Sequence, residues 1–422
     1  MINVREHGAI GDGRNDDRAA IQACIDAAGA AGGGLVFLPP GGYVSGSLFL
    51  RDRVELHLER GAVLLGSLDP RDWPLVESRW EGETRLVHAA LLHAQGRRGI
   101  AVTGGGLIDG RGDHWWRRFR EGDLANPRPR LLVAEDCEDV LFEGFSATNS
   151  PSWTVNPVRS RNLRITGLSI SNPPDSPNTD GINPDSCRSV RISDCFVSVG
   201  DDCITIKSGT ELEKPGLSMA SEDIVVTNCV LERGHGGVVI GSEMSGDVRN
   251  VAISNCVFRG TDRGIRLKTR RGRGGVVERI RVSNVVMDGV DVPLAVNMRY
   301  HCGARGDAKV ASLEALPVDA GTPRFRDIAL SGIVATGARV AAAWIEGLAE
   351  SPVERLSLSD FSVGMDGEGG SAPPEMADGL PALSRAGVHA NHVRGLRLRD
   401  IRVTGQDGKA VNATDCPGLE QS

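Results

Sequence analysis

The sequence predicts an all-β chain, a parallel β-helix with one N-terminal capping helix, on three observations. A short pattern of alternating apolar residues recurs along most of its length, no helical period intervenes between the copies, and Gly, Asn and Asp punctuate them. With 54 Gly and only 4% aromatic residues, the composition suits tight turns and thin stacked layers better than a helical bundle.

The chain has 422 residues, and repeat architectures of that length form one body, so a single domain over 1–422 is expected, with 1–50 as strand and cap and 51–422 as coils. In the first part, a strand and a Gly-rich turn lead into one amphipathic helix on which Ala20, Ile21, Cys24, Ile25 and Ala28 share a face. Asn15 or Asp16 is its expected cap. Nothing else in the chain looks as helical. The GDG at Gly11 lacks the Lys-Ser/Thr ending and the spacing of a phosphate loop and reads as a turn.

The repeat is legible at DVLFEGFSATN (Asp139) and NLRITGLSISN (Asn162). It continues as SVRISDCFVS (Ser189), DIVVTNCVLE (Asp223), NVAISNCVFR (Asn250), RIRVSNVVMD (Arg279), DIALSGIVAT (Asp327), RLSLSDFSVG (Arg355) and GLRLRDIRVT (Gly395). A second strand follows in many units, as SWTVNP, TDGINP, DDCITI, HGGVVI, RGIRLK and VPLAVN. Antiparallel sandwiches also have short strands but not this repeated likeness. Nine cysteines form an odd set, and Cys195, Cys229 and Cys256 share one place in the repeat, which reads as a ladder of buried thiols rather than a disulfide framework. Long Gly/Pro-rich loops at 119–130, 211–222, 298–326 and 363–393 would wall a groove if they project from one side.

A net charge of −7 argues against binding nucleic-acid phosphates, and no apolar run is long enough to span a bilayer. With no charged and apolar leader at Met1 the expected location is cytoplasmic, or secreted or periplasmic if a leader has been removed. The sequence leaves the oligomeric state open.

The chemistry concentrates in residues 178–207. Aligning TDGINP from Thr179 with DDCITI from Asp201 puts Asp180 on Asp202, so the two carboxylates are expected on neighbouring strands about 4.8 Å apart. Asp201 stands one residue out of that column. Like charges so close raise one another's pKa and cost stability, so such a trio is expected to be in use. The same alignment sets His235 beside Asp201's column and Arg263 in that of Asp180 and Asp202, while Arg266 and Lys268 share one face and Ile265 and Leu267 point inward. Because Asp180 and Asp202 share parity with the buried Ile182 and Ile204, the chain is expected to bend just before those strands. Cleaving a glycosidic bond takes one carboxylic acid to protonate the leaving oxygen and one carboxylate to act as nucleophile or activate water. Arg266 and Lys268 suit the carboxylate of a uronic acid. Each residue alone has a plainer reading: a strand-end Asp caps a turn, a lone His is structural, and RLKTRRGRGG is a solvated basic face. Their convergence on one column favours catalysis.

NTDG at Asn178, GDD at Gly200, GHG at Gly234 and the Arg266-Leu267-Lys268 triplet, in that order, resemble the signature segments of glycoside hydrolase family 28, the polygalacturonases. GAIGDGRNDDRAAIQACIDAA and GSEMSGDVRNV are similar to the bacterial branch, and the likeness covers roughly residues 1–305. The resemblance implies a single-stranded right-handed parallel β-helix of the pectin-lyase-like kind and inverting hydrolysis of galacturonosidic bonds in pectic poly- or oligosaccharides, with no metal or other cofactor. It implies Asp201 as general acid beside His235, and Asp180 and Asp202 holding the attacking water. Asn178 would orient the motif loop, Arg266 and Lys268 would bind galacturonate, and Tyr300 would line the groove. Two departures, the NPDSC after NTDGI and the absent leader, point towards exo action on oligosaccharides. Alternatives are a rhamnogalacturonan-type hydrolase, a pectate or pectin lyase, and a non-catalytic carbohydrate-binding β-helix. Whether Arg270, Arg271 and Arg273 extend the acidic-substrate site or form a solvated loop stays open.

Overall fold

The computed structural model describes residues 1–422, which divide into two compact units, Met1–Asp201 and Asp202–Ser422. Both are built of parallel β-helix coils. In the first, strands Gly34–Leu38, Val54–Leu58, Ala101–Gly104, Glu138–Glu143, Arg161–Thr166 and Arg188–Ser193 pair in parallel. Their register stacks Val36, Leu56, Val102, Phe142, Ile165 and Ile192 in one buried column. In the second unit, Val226, Ile253, Val282, Leu330, Leu358 and Leu398 form an equivalent column. Each aliphatic side chain removed from water contributes about 1.5–3 kcal/mol, and the parallel register repeats that gain once per coil.

The sequence repeat has a conformational cause. The non-glycine residues that open its units, Asp139, Asn162, Ser189, Asp223, Asn250, Arg279, Asp327 and Arg355, all have left-handed backbone, with φ between 54° and 59°. A second left-handed corner follows five residues later at each, on Gly144, Gly167, Asp194, Asn228, Asn255, Asn284, Gly332 and Asp360. Asn, Asp and Gly tolerate that region best, which is why they mark the units. The first corners also bond from coil to coil: Asn162 Nδ2 donates to Asp139 Oδ1 at 2.6 Å, Asn250 Nδ2 to Asp223 Oδ1 at 2.9 Å and Arg279 Nε to Asn250 Oδ1 at 2.6 Å. Just after the second corner, Cys195, Cys229 and Cys256 are buried and in no disulfide, each Sγ donating at 3.2 Å to the carbonyl two residues before it. Cys229 and Cys256 stand on neighbouring coils of the second unit, and Cys195 takes the same place in the repeat in the first.

The N-terminal helix is Arg18–Ala30, and Ile21, Cys24, Ile25 and Ala28 are buried against the strands around Gly34–Leu38. Asp17 precedes its first turn, but the side-chain cap is the expected Asp16, whose Oδ1 accepts from the Arg18 N–H at 3.0 Å, while the Asp17 carboxylate turns back to accept from the backbone N–H groups of Ile10 at 2.6 Å and Gly11 at 3.1 Å, which ties the preceding turn to the helix. Contrary to the expectation of one helix, Asp113–Arg120 is also helical, with Trp115 and Trp116 buried, and a single turn forms at Ala308–Ala311. An antiparallel hairpin, Leu75–Trp80 with Glu83–His88, is a further departure from the coil pattern. It is pinned by Trp80 stacked on Trp153 and by fully buried Arg79, paired with Asp185 at 2.6 Å.

Candidate active site

The first unit carries Asn178, Asp180 and Asp201. Asp180 is buried and lies outside the strands, and its chain makes only single bridges at Ile182 and Asp185, as the expected bend requires. Its Oδ2 accepts from Asn183 Nδ2 at 2.9 Å. Asn178 has left-handed backbone (φ 54°), and its Oδ1 accepts from Arg128 Nη2 at 2.7 Å. Arg128 also donates to the carbonyls of Pro151 and Pro177 and lies 3.9 Å over the Phe119 ring. Burial pulls its guanidinium down to about 10. Asn178 thus joins the motif loop to a buried arginine. Gly200, ahead of the acid pair, has no room for a side chain, because a Cβ there would meet the Ser176 carbonyl at 2.4 Å. Asp201, at the end of this unit, is half-buried.

The second unit carries Asp202, His235, Arg266, Lys268 and Tyr300. Ile204–Ile206, Val238–Gly241, Arg263–Lys268 and Val292–Asn297 are successive parallel strands, so Ile204, Val238, Ile265 and Leu294 point into the core while Arg266 and Lys268 face the other way. Asp202 precedes the first strand and turns out to the same face, accepting from Lys268 Nζ at 2.7 Å and Arg266 Nη1 at 3.2 Å. Burial alone would raise the Asp202 carboxyl, but Lys268 and Arg266 outweigh it and hold the group ionised well below the usual range. Gly236 makes room for this pairing, since a Cβ there would stand 3.1 Å from Asp202 Oδ1 and 2.4 Å from Val239. The Tyr300 ring lies 5.5 Å from the Arg266 guanidinium and 5.2 Å from the Lys268 ammonium, so both cations face one aromatic surface.

Two acids were not foreseen. Asp262 accepts from or shares a proton with His235 Nδ1 at 2.8 Å and fixes the ring's orientation. Burial works against the Asp262 charge, but the His235 hydrogen bond prevails and lowers its pKa. The signal was present: HGGVVI over DRGIRL places Asp262 in His235's column one coil on. Glu375 grips Arg266 in a buried bidentate pair, Nε to Oε2 and Nη2 to Oε1, both at 2.6 Å. It lies in a Pro-rich loop more than a hundred residues further along the chain, where no periodicity points to it. The Nε/Nη2 edge of Arg266 is therefore taken by Glu375.

The basic run after the triplet is divided in its use. Arg271 is buried, paired through Nε at 2.6 Å and Nη2 at 2.9 Å with Glu350, and donates to the carbonyls of Lys309, Ser312 and Glu314, so it clamps loops rather than meeting solvent. Arg270 and Arg273 share the Glu211 carboxylate. No helix is long and apolar enough to cross a membrane.

The family model described as Glycosyl hydrolases family 28 matches residues 79–371, and one described as Rhamnogalacturonase A/epimerase, pectate lyase-like, matches residues 1–66. A probable polygalacturonase of Vitis vinifera is 33% identical over 370 residues, covering 85% of this chain and 73% of that protein. The solved structure of a hyperthermoactive exopolygalacturonase from Thermotoga maritima is 28% identical with a TM-score of 0.82, covering 96% of this chain and 92% of that one. The family 28 exopolygalacturonase of Yersinia enterocolitica shares the fold at 21% identity and a TM-score of 0.83, over 99% of this chain and 77% of that one. The fold is the single-stranded right-handed parallel β-helix.

Proposed function

The chain belongs to glycosyl hydrolase family 28, and from that membership we propose that it hydrolyses the α-1,4 bonds between galacturonate residues of pectic chains with inversion, acting from a chain end. The observation that carries the division of roles is the pairing of Asp202 with Lys268 and Arg266. Held ionised by Lys268 and Arg266, it cannot supply a proton at neutral pH and is suited to hold and activate the attacking water, a part that the family resemblance also gives Asp180. Asp201, half-buried and next in the chain, is the general acid: its proton goes to the glycosidic oxygen as that oxygen leaves, while water adds to the anomeric carbon and gives up a proton to the carboxylate pair. His235, oriented by Asp262, serves the acid. Lys268 and Tyr300 receive the uronate, with Arg266 behind them.

Support for end-wise action comes from the Thermotoga exopolygalacturonase and from two loops of the second unit that meet over the strand ends, where His301 N donates to the Met376 carbonyl at 3.1 Å. A lyase reading is disfavoured by Arg266, the basic side chain it would enlist. Burial works against the guanidinium charge, but Glu375 and Asp202 prevail and raise its pKa well above the ordinary value, so it does not give up a proton to become a base. Inversion is checked by proton NMR of the first turnovers on trigalacturonate. The expected first product is the β-anomer of the new reducing end; an α-anomer would replace the water-holding role of the carboxylates with a covalent intermediate.

A further inference from the structure

Glu375 lies past the residues matched by the family model, 79–371, yet it makes the closest contacts to Arg266. Both partners are buried, at 1% and 3% exposure. The segment around Glu375 is itself fixed. Met376 N donates to Glu375 Oε1 at 2.8 Å, Arg263 donates to the carbonyls of Pro373 and Pro374, and the Met376 carbonyl accepts from Asn297 Nδ2 at 3.1 Å. Asp378 accepts from the Gly306 N–H and pairs with His301 Nδ1, each at 2.9 Å. Glu375 is thus held by its own backbone and by neighbouring segments where it meets Arg266.

A guanidinium offers one planar fork for a bidentate carboxylate along each edge, and here the Nε/Nη2 edge is occupied. Of its remaining N–H groups, one on Nη1 donates to Asp202. Around the substrate-facing strand the buried charges balance two against two, Asp202 and Glu375 against Arg266 and Lys268. An incoming uronate therefore finds the Nε/Nη2 fork closed and Nη1 engaged with Asp202.

We infer that Glu375 is a positioning residue for the hydrolysis proposed above: it holds Arg266 with Nη1 on Asp202 and withholds the arginine fork from the substrate carboxylate, leaving that carboxylate to the Lys268 ammonium. The inference rests on the proposed function for its reaction, but not for its geometry. Glu375→Gln keeps the shape and removes the charge that commits the fork. Its kcat on trigalacturonate is expected to fall about 10- to 100-fold, the scale on which misplacing a group near the reacting atoms costs rate. Its KM is not expected to rise, because the released fork can take a uronate in the ground state. Glu375→Asp, which keeps the charge on a shorter arm, should recover part of the lost kcat. Asp378→Asn loosens the same segment without touching Arg266, and should lower kcat far less than Glu375→Gln does.

Galacturonate binding, measured by calorimetry, needs no turnover and reads the fork directly. Glu375→Gln should bind the monosaccharide at least about threefold more tightly, as a newly available bidentate donor predicts. Equal or weaker binding by the folded variant overturns the inference, and so does a kcat loss that Asp378→Asn shares in full, which would make Glu375 only a staple for its loop. Absence of turnover by the unaltered protein would overturn the proposed function, while the binding comparison would still decide the role of Glu375.

Discussion

Replacing Asp201 by asparagine is expected to lower kcat about 10²- to 10⁴-fold, the contribution of a positioned general acid, with little change in thermal stability. The amide keeps the shape of a half-buried side chain but has no acidic proton to give the leaving oxygen. Asp202→Asn should be as inactive for a different reason, and it should also cost stability. Its carboxylate is 1% exposed and accepts from both Lys268 and Arg266. Neutralising it leaves those buried cations short of an anion, at about 3 kcal/mol or more by analogy with broken buried pairs. Steady-state kinetics on trigalacturonate with thermal melts of both variants check this. Near-normal turnover in Asp201→Asn would remove the acid role, and equal stability of Asp202→Asn and the unaltered protein would contradict the buried ion-pair description.

The largest loss of stability is expected from Arg266→Met. That change strands Glu375 without its cation and takes one of two from Asp202, which costs about 3–5 kcal/mol for a buried pair broken on one side. Arg266→Met combined with Glu375→Met should recover most of that loss, because an apolar pair of similar volume carries no buried charge. Activity should not return with it. The pH dependence follows the same logic. Burial acts to raise the Glu375 carboxyl, but Arg266 outweighs it, so the folded pKa lies below the ordinary value of 4.5. A carboxylate depressed in the folded state contributes stability that is complete above the unfolded pKa and is lost as the pH falls through the folded one. The unaltered protein should therefore lose stability steadily as the pH drops below about 4.5, and the double Met variant should lose less over the same range. Chemical denaturation across that pH range reads both slopes, and parallel slopes would contradict the assignment.

Much of the fold was legible because its recurring corners demand particular residues. Left-handed backbone at Asp139, Asn162, Asp223 and Asn250 selects Asn and Asp, and alternation around those corners fixes which side chains enter the core. The same register put Arg266 and Lys268 on one face and located the bend that turns Asp202 outward. What the sequence hid was non-local or out of period. The helix Asp113–Arg120 is a single insertion whose Trp115 and Trp116 are held by tertiary packing, and the hairpin at Leu75–Trp80 depends on the buried Arg79 pairing with Asp185. The Asp16 cap on Arg18 N was legible, whereas the turn-back of the neighbouring Asp17 carboxylate onto Ile10 and Gly11 was not. Glu375 could not be found by spacing, since loop length separates it from Arg266 without constraint. Arg271, by contrast, looked like part of a solvated basic run and is instead a buried clamp on Glu350.

The central claim is that this chain hydrolyses galacturonosidic bonds from the end of a pectic chain. It is tested most directly by a mass-resolved time course of the products from polygalacturonate and trigalacturonate with a chelator present. The account predicts saturated galacturonate monomer from the earliest time points and undiminished turnover under chelation. Products carrying an unsaturated sugar, or turnover that stops with the chelator, would contradict hydrolysis, and mixed oligomers at the outset would contradict attack from the chain end.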